Sequence, residues 1–302
     1  WQSLGAGFTA NAWQSMIAKI IPGNRRGTFF GLQASFSSLF ASGSAIVAGL
    51  ILEKMDSPYD FVLCFLLASG AMVISWFFLA WTREDESLAP IQRTTSESYL
   101  KGLTDILRRD ANFRWYLAAR SLMQLASMGF AFYTVYVVNY RQVSEAEVGL
   151  MTSVMMGTQI IANPLMGRMG DRWSYRGMLE LGMVAAILSA LLAWWAPVSG
   201  WFYLVVILTG IALVANWTIS MSITVEFGSE AERPAYIGLA NTLVAPATIL
   251  SPFLGGWLAD LSGYPATFLF SAFGGVATLL VLHLLVKDPK SLREKRTETN
   301  EQ

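Results

Sequence analysis

The sequence predicts an all-α fold, a polytopic bundle of transmembrane helices with about nine spans. Three observations point to it. Hydrophobic residues make up 54% of the 302 and charged residues 14%, where an ordinary soluble domain carries about 25% charge; mean hydropathy is +0.46. Long windows lack Asp, Glu, Lys and Arg altogether, and a span needs only roughly 20 apolar residues at about 1.5 Å rise each. Basic residues gather at every second connection between those windows, as the asymmetry of membrane insertion requires.

The segment Trp1 to Ile21 opens the chain as a polar-tinged span. Charge-free windows follow at Thr28 to Leu52 and Phe61 to Thr82. Residues 83–112 have the composition of a linker, with TREDES and QRTTSES runs of charge and hydroxyls. Its end, ESYLKGLTDILRRDAN, places Leu100, Leu103, Ile106 and Leu107 on one helical face, as expected of a short helix on the membrane surface or of a solvated tether. Further windows run from Ser121 to Tyr140, Val148 to Gly167, Leu181 to Val225, Pro234 to Ala259 and Leu261 to Val286. The third of these is about twice one span, and Pro197-Val198-Ser199-Gly200 divides it. The expected organisation is a partial first half over 1–82, the linker over 83–112, a second half over 113–287 and a tail over 288–302.

Alternation puts Lys19, Arg25, Arg26, the linker's basic residues, Arg168, Arg172, Arg176, Arg233 and the basic tail on one side, and Lys54 and Arg141 on the other. The first side is expected to be cytoplasmic, and the C-terminus with it. Only Arg120 is left inside a span. The single cysteine, Cys64, forms no internal disulfide.

An offset of 207 residues aligns RRGTFFGLQASF with ERPAYIGLANTL and GLILEKMDSPYDF with GWLADLSGYPATF. Arg26 then meets Arg233, Gly31 meets Gly238, Gly49 meets Gly256 and Pro58 meets Pro265. Helices two and three thus correspond to the last two, which implies a parallel repeat of six helices. On that reading the first half is incomplete by three helices, and the parent protein is expected to have about 400 residues and twelve spans. Two such halves around a midplane site are an architecture of transporters.

Between two of the windows lies NPLMGRMGDRWSYRGML, residues 163–179. With the repeat and the linker, it resembles the major facilitator superfamily, whose members carry a G-x-L-A-D-R-x-G-R-K-x-x-L type motif in the turn between the second and third helices of each half. Gly167, Asp171, Arg172 and Arg176 match; Ser174 stands where glycine is usual and Tyr175 where a first basic residue is. Pro22-Gly23-Asn24-Arg25-Arg26-Gly27 and Pro252-Phe253-Leu254-Gly255-Gly256 resemble further turns and bends of that family. The G-P-x-x-G-G signature of proton-driven drug antiporters is not evident in the fifth inferred helix.

The resemblance implies a secondary transporter working by alternating access, not an enzyme. Gating would fall to Gly167, Asp171, Arg172, Arg176 and Glu226. Asp171 would approach the positive end of the helix beginning at Gly27 or Thr28, and Arg172 and Arg176 would pair with Glu226 or Glu230. Charge inside a membrane suggests function, so Arg120, with Gln124 and Ser127 beyond it on nearly the same face, is a substrate-binding candidate. Gln159, Asn216 and Asn241 lie at a similar depth, with Tyr133 and the aromatic residues Phe130, Tyr136 and Trp217 as walls. The competing reading makes Arg120 a structural tie and the amides helix–helix joints. Glu180 is a proton-coupling candidate or an interfacial charge, and His283 an interfacial residue.

The expected partners are a small-molecule substrate, a coupling proton or sodium ion and the lipid bilayer, with no nucleic acid, no cofactor and a monomeric state. The expected location is the inner or plasma membrane of a bacterial cell. A membrane enzyme lacks any recognisable catalytic constellation here, with one histidine and one cysteine. A non-transporting receptor or scaffold stays open at this stage.

Overall fold

The computed structural model describes residues 2–83 and 96–292, and all regular structure among them is helical. In chain order the helices are α1 (Gln2–Ile20), α2 (Arg26–Lys54), α3 (Tyr59–Ala80), α4 (Ser96–Arg109), α5 (Ala111–Ser127), α6 (Phe130–Arg141), α7 (Glu145–Arg172), α8 (Tyr175–Trp195), α9 (Phe202–Val214), α10 (Ser220–Thr224), α11 (Arg233–Ser262) and α12 (Tyr264–Leu285). The α5/α6 pair forms one span, interrupted at Met128 and Gly129, where the Gly129 amide donates to Ser271 Oγ at 2.8 Å. A π-helical turn, Ala215–Ile219, joins α9 to α10 in another.

Seven of the described helical stretches are long and apolar enough to cross a membrane. The two expected spans outside that set are α1 and α7. Their polarity has a use in the packing: α1 carries Asn11, Gln14 and Lys19, and α7 carries Gln159 and Asn163, the latter buried. A helix that turns amides inward lowers its mean hydropathy without exposing those groups to lipid.

Local chemistry sets the ends. Asp110 caps α5 by accepting the Phe113 amide at 2.9 Å, and Ser144 with Glu147 forms a capping box at α7. Ser174 caps α8 through Gly177 at 3.0 Å, and prolines near the first turn start α11 and α12.

The main core joins α5, α7, α8, the π turn, α11 and α12 around Phe113, Tyr116, Leu179, Met183 and Ile219, all buried. In contrast, α3 and the latter part of α2 turn Phe40, Ile46, Phe65 and Trp76 outward, a surface that suits hydrocarbon and not water.

The 207-residue offset found in the sequence recurs in space. Helix α2 starts at Arg26 and α11 at Arg233. Each arginine folds back on a carbonyl eight residues earlier, Arg26 on Ala18 and Arg233 on Val225. The same local device thus closes the end of the preceding helix in both copies.

The apolar face of α4 packs against protein: Ile106 is buried in the main core, with Leu103 and Leu107 packed beside it. Arg109 at its end pairs with Glu232. Burial against protein removes the same apolar area as burial in lipid, and α4 has a bundle end within reach.

Candidate functional site

At the basic end of the bundle, the last turn of α7 meets the first turn of α2. One Asp171 carboxylate oxygen accepts the Gly27 amide at 2.8 Å, and the other accepts the Thr28 amide at 2.6 Å and its hydroxyl at 2.5 Å. Tyr175 donates its hydroxyl to Asp171 at 2.5 Å, while its oxygen lies 3.0 Å from the Gly27 nitrogen. A buried carboxylate therefore satisfies the free N–H groups of a helix belonging to the other half, where the dipole favours an anion.

Glycine makes the approach possible. A Cβ on Gly167 would sit 2.1 Å from the Gly27 carbonyl oxygen, one on Gly27 would lie 2.5 Å from the Gly167 oxygen, and one on Gly31 would lie 2.3 Å from the Asn163 oxygen. These are backbone atoms that cannot move aside, so the G-x-x-x-G of α2 and the Asn163/Gly167 pair of α7 set the crossing. Beyond it, Ser35 donates to the Ile160 carbonyl at 2.7 Å.

The two halves are also joined by charge. Arg26 on α2 meets Glu226, in the turn after α10, at 2.7 Å, with both side chains buried. Around them Ile17, Ala18, Phe30, Val225 and Ile237 form an apolar cluster that seals this end.

Arg172 and Arg176 do not make the pairs expected of them with Glu226 or Glu230. Arg176 binds Glu180 one turn along α8 at 2.8 Å and the His283 carbonyl of α12 at 2.9 Å, and Arg172 is exposed. The reason is directional: residues at positions i and i+4 share a helix face, which aims Arg176 toward α12, while Arg26 reaches Glu226 from α2. Glu180, with His283 at 3.4 Å, belongs to this outer group.

The segment after α12 reinforces the turn. Asp288 accepts the Ser174 hydroxyl at 2.5 Å and the Arg176 amide at 3.3 Å, and Lys290 donates to the Asp171 carbonyl. An anion thus sits at the start of α8 and a cation at the end of α7, each complementary to the local dipole. Asn112 holds Lys287 through a reciprocal pair of bonds at 2.7 and 2.9 Å. Nothing in the sequence motif pointed to these residues.

Above the seal lies a cavity of about 350 Å³ lined from both halves. Arg120, Gln159 and Asn241 line it, as does Trp217. The structure adds Gln14, Gln33, Ser37 and Ser38 from the first half, and Asn163 with Thr218, which bond each other at 2.6 Å. The sequence signal for the first-half residues is weak: amides and hydroxyls scattered through α1 and α2, outside any motif.

Other candidates lie elsewhere. Gln124 donates to Asn216 at 3.4 Å, and Asn216 donates to Ser127 at 3.2 Å, so these amides join α5 to the π turn and leave the cavity wall. Tyr133 is buried with its hydroxyl 3.3 Å from Ser189. Tyr136 stacks on Tyr140 and packs edge-on against Phe268, and Phe130 packs beside Tyr133. Equal depth did not give convergence, because azimuth around each helix decides which neighbour a side chain meets.

Two sets of helices, locked at one end by a capped helix terminus and enclosing a polar cavity, define a polytopic α-helical membrane protein of the two-half type. The chain belongs to the Major Facilitator Superfamily, whose family profile matches residues 1–141 and 121–301, a family of transporters and not of enzymes. Among curated relatives, it is 25% identical over 146 residues to the class B tetracycline resistance protein of Escherichia coli, covering 48% of this chain and 36% of that protein. It is 30% identical over 138 residues to the class E protein of Escherichia coli, covering 45% and 34%. It is 24% identical over 157 residues to multidrug resistance protein 1 of Bacillus subtilis, covering 52% and 40%. The aligned stretches span between a third and two fifths of those relatives. The fold matches the transporter FucP in its outward conformation, with TM-score 0.75 and 12% identity over 92% of this chain and 72% of that one. It also matches a bacterial homologue of ferroportin in its outward-facing state, with TM-score 0.73 and 16% identity over 93% and 69%.

Proposed function

We propose that the chain forms part of a secondary transporter that moves a small molecule across a bacterial inner or plasma membrane by alternating access, with the basic end and the C-terminus cytoplasmic. The observation that carries this reading is the Asp171 cap on α2. It joins the halves through a few directional bonds at one end of a polar cavity, and such an interface has two discrete arrangements, made or broken. Gly167 and the Arg26–Glu226 pair belong to the same closure. Arg176 acts from further out through the turn, and Arg172 has no assigned bond in the closed form.

In this proposal Arg120, Gln159 and Asn241 contact the substrate from the second half, and Gln14 and Gln33 contact it from the first. Gln124 and Asn216 shape the wall behind Arg120, and Tyr133 supports α6 from within the core. The curated relatives are named for tetracycline and multidrug resistance, which favours an organic solute as the cargo. A coupling proton or sodium ion completes the scheme. Glu180 does not line the cavity and is bound to Arg176, so it is given no coupling role. The protein works as a monomer in the bilayer.

The test uses a Cys64→Ser background with single cysteines in the cavity wall, at Ser37 and Asn241. Membrane-impermeant maleimide applied from either face should label each cysteine at rates that shift in opposite directions when substrate or a gradient is supplied. Access from one face alone under every condition would defeat the proposal.

A further inference from the structure

We infer that the central cavity is built for an anionic solute, with Arg120 providing its countercharge; the inference rests on the transport reading above and names the substrate class of that same cavity. Among the described lining residues, Arg120 is the only one that carries formal charge. The rest are amides, hydroxyls and apolar or aromatic groups. No Asp or Glu lines the wall, and no described carboxylate lies within ion-pair distance of Arg120.

The guanidinium is also incompletely bonded. Its Nε is buried and has no hydrogen-bond partner. Its side-chain partner is the Tyr116 hydroxyl, a neutral group that also bonds the Ser220 carbonyl and the Thr224 hydroxyl, both at 2.8 Å, and that supplies no countercharge. A buried donor without an acceptor is costly, and a cation at membrane depth without a counterion more so. A carboxylate or similar planar anion satisfies both demands, because the guanidinium presents parallel donors that match two oxygens.

The remaining lining fits the body of such a solute. Gln33 and Gln14 reach in from the first half and Gln159 and Asn241 from the second, and amides donate to or accept from polar substituents as needed. Trp217, exposed in the wall, supplies a face for an aromatic or other apolar portion. A cation would have to enter beside Arg120 with no carboxylate in the described wall to hold it. A neutral solute of equal size would leave the Arg120 donors unmatched by charge.

The experiment compares three probes of one shape: 2-naphthoate, 2-naphthamide and 2-naphthylmethylamine, with charge −1, 0 and +1 at neutral pH. Binding to the purified protein in detergent is measured by titration calorimetry. The anion should bind at least about tenfold more tightly than the amide, as charge-assisted bonds are roughly twice as strong as neutral ones, and the amine should bind least. Arg120→Gln should abolish the preference while Arg120→Lys retains part of it; Asn241→Ala should weaken anion and amide alike. Equal binding of the three probes, preference for the amine, undetectable binding of the anion, or a preference that survives Arg120→Gln would overturn the inference. The alternating labelling of Ser37→Cys, run on the same protein reconstituted into sealed vesicles, separates the two readings: labelling that alternates without anion preference rejects the anion site alone, and anion preference without alternation rejects the transport reading.

Discussion

Replacing Asp171 by alanine removes the acceptor for the Gly27 amide, the Thr28 amide and the Thr28 hydroxyl, three bonds of 2.8, 2.6 and 2.5 Å between halves. Bonds to a charged group contribute about 1.5–3 kcal/mol each, but they share one carboxylate and do not add. Truncating one partner of a buried charged pair costs about 2–5 kcal/mol. In the open form, water solvates both the carboxylate and the helix terminus, so the closed form alone loses these contacts. A difference of about 3 kcal/mol shifts the closed-to-open ratio by roughly 100-fold. The assay is maleimide labelling of Ser37→Cys from the basic face, in the Cys64→Ser background. Labelling should accelerate strongly in Asp171→Ala and by less in Asp171→Asn, which keeps one acceptor oxygen. An unchanged rate in Asp171→Ala, with the protein folded and inserted, would refute the view that this carboxylate holds the end shut.

Gly167→Ala places a methyl group against the Gly27 carbonyl, so cross-linking between cysteines at Ser35 and Ile160 should fall; Gly43→Ala, with nothing within 4 Å, should leave it unchanged. Arg26→Ala removes the buried pair with Glu226 together with bonds to Ala18 and Ile21 and should destabilise the closed bundle by about 3–5 kcal/mol, read as a lower thermal midpoint in detergent. Asp288→Asn should raise amide hydrogen exchange over residues 173–177 by loosening the start of α8, with exchange in α3 unaffected. Arg109 holds the Glu232 carboxyl below its ordinary value. A lowered carboxylate favours the docked form above its unfolded pKa and loses that contribution as pH falls through the folded one. Exchange in α4 should therefore rise on acidification below about pH 4 and be insensitive to acid in Glu232→Gln.

Much of the fold was legible in the chain. Charge-free windows located the spans because a bilayer admits only helices whose backbone bonds close internally. Repeat matching placed α2 against α11, and the structure returns the offset in the paired Arg26 and Arg233 bonds. The quoted turn singled out Asp171 and Gly167, since a glycine and a carboxylate at a helix end have few alternative uses. Depth along a helix was legible too, because rise per residue is fixed.

Azimuth and partnership were decided only by tertiary packing. Asn216 and Asn241 are expected at similar depth, yet Asn216 bonds Gln124 and Ser127 while Asn241 faces the cavity. Arg176 and Arg26 are both arginines beside the same closure, but the face of α8 commits one to Glu180 and the end of α2 commits the other to Glu226. The sequence by itself determined that this protein is a helical membrane bundle with a charged turn at one end, through hydropathy and backbone geometry, which are local. Which charge meets which, and which amides share a cavity, depend on helix rotation and crossing. Those are fixed by contacts among residues far apart in the chain, such as Gly27 with Gly167.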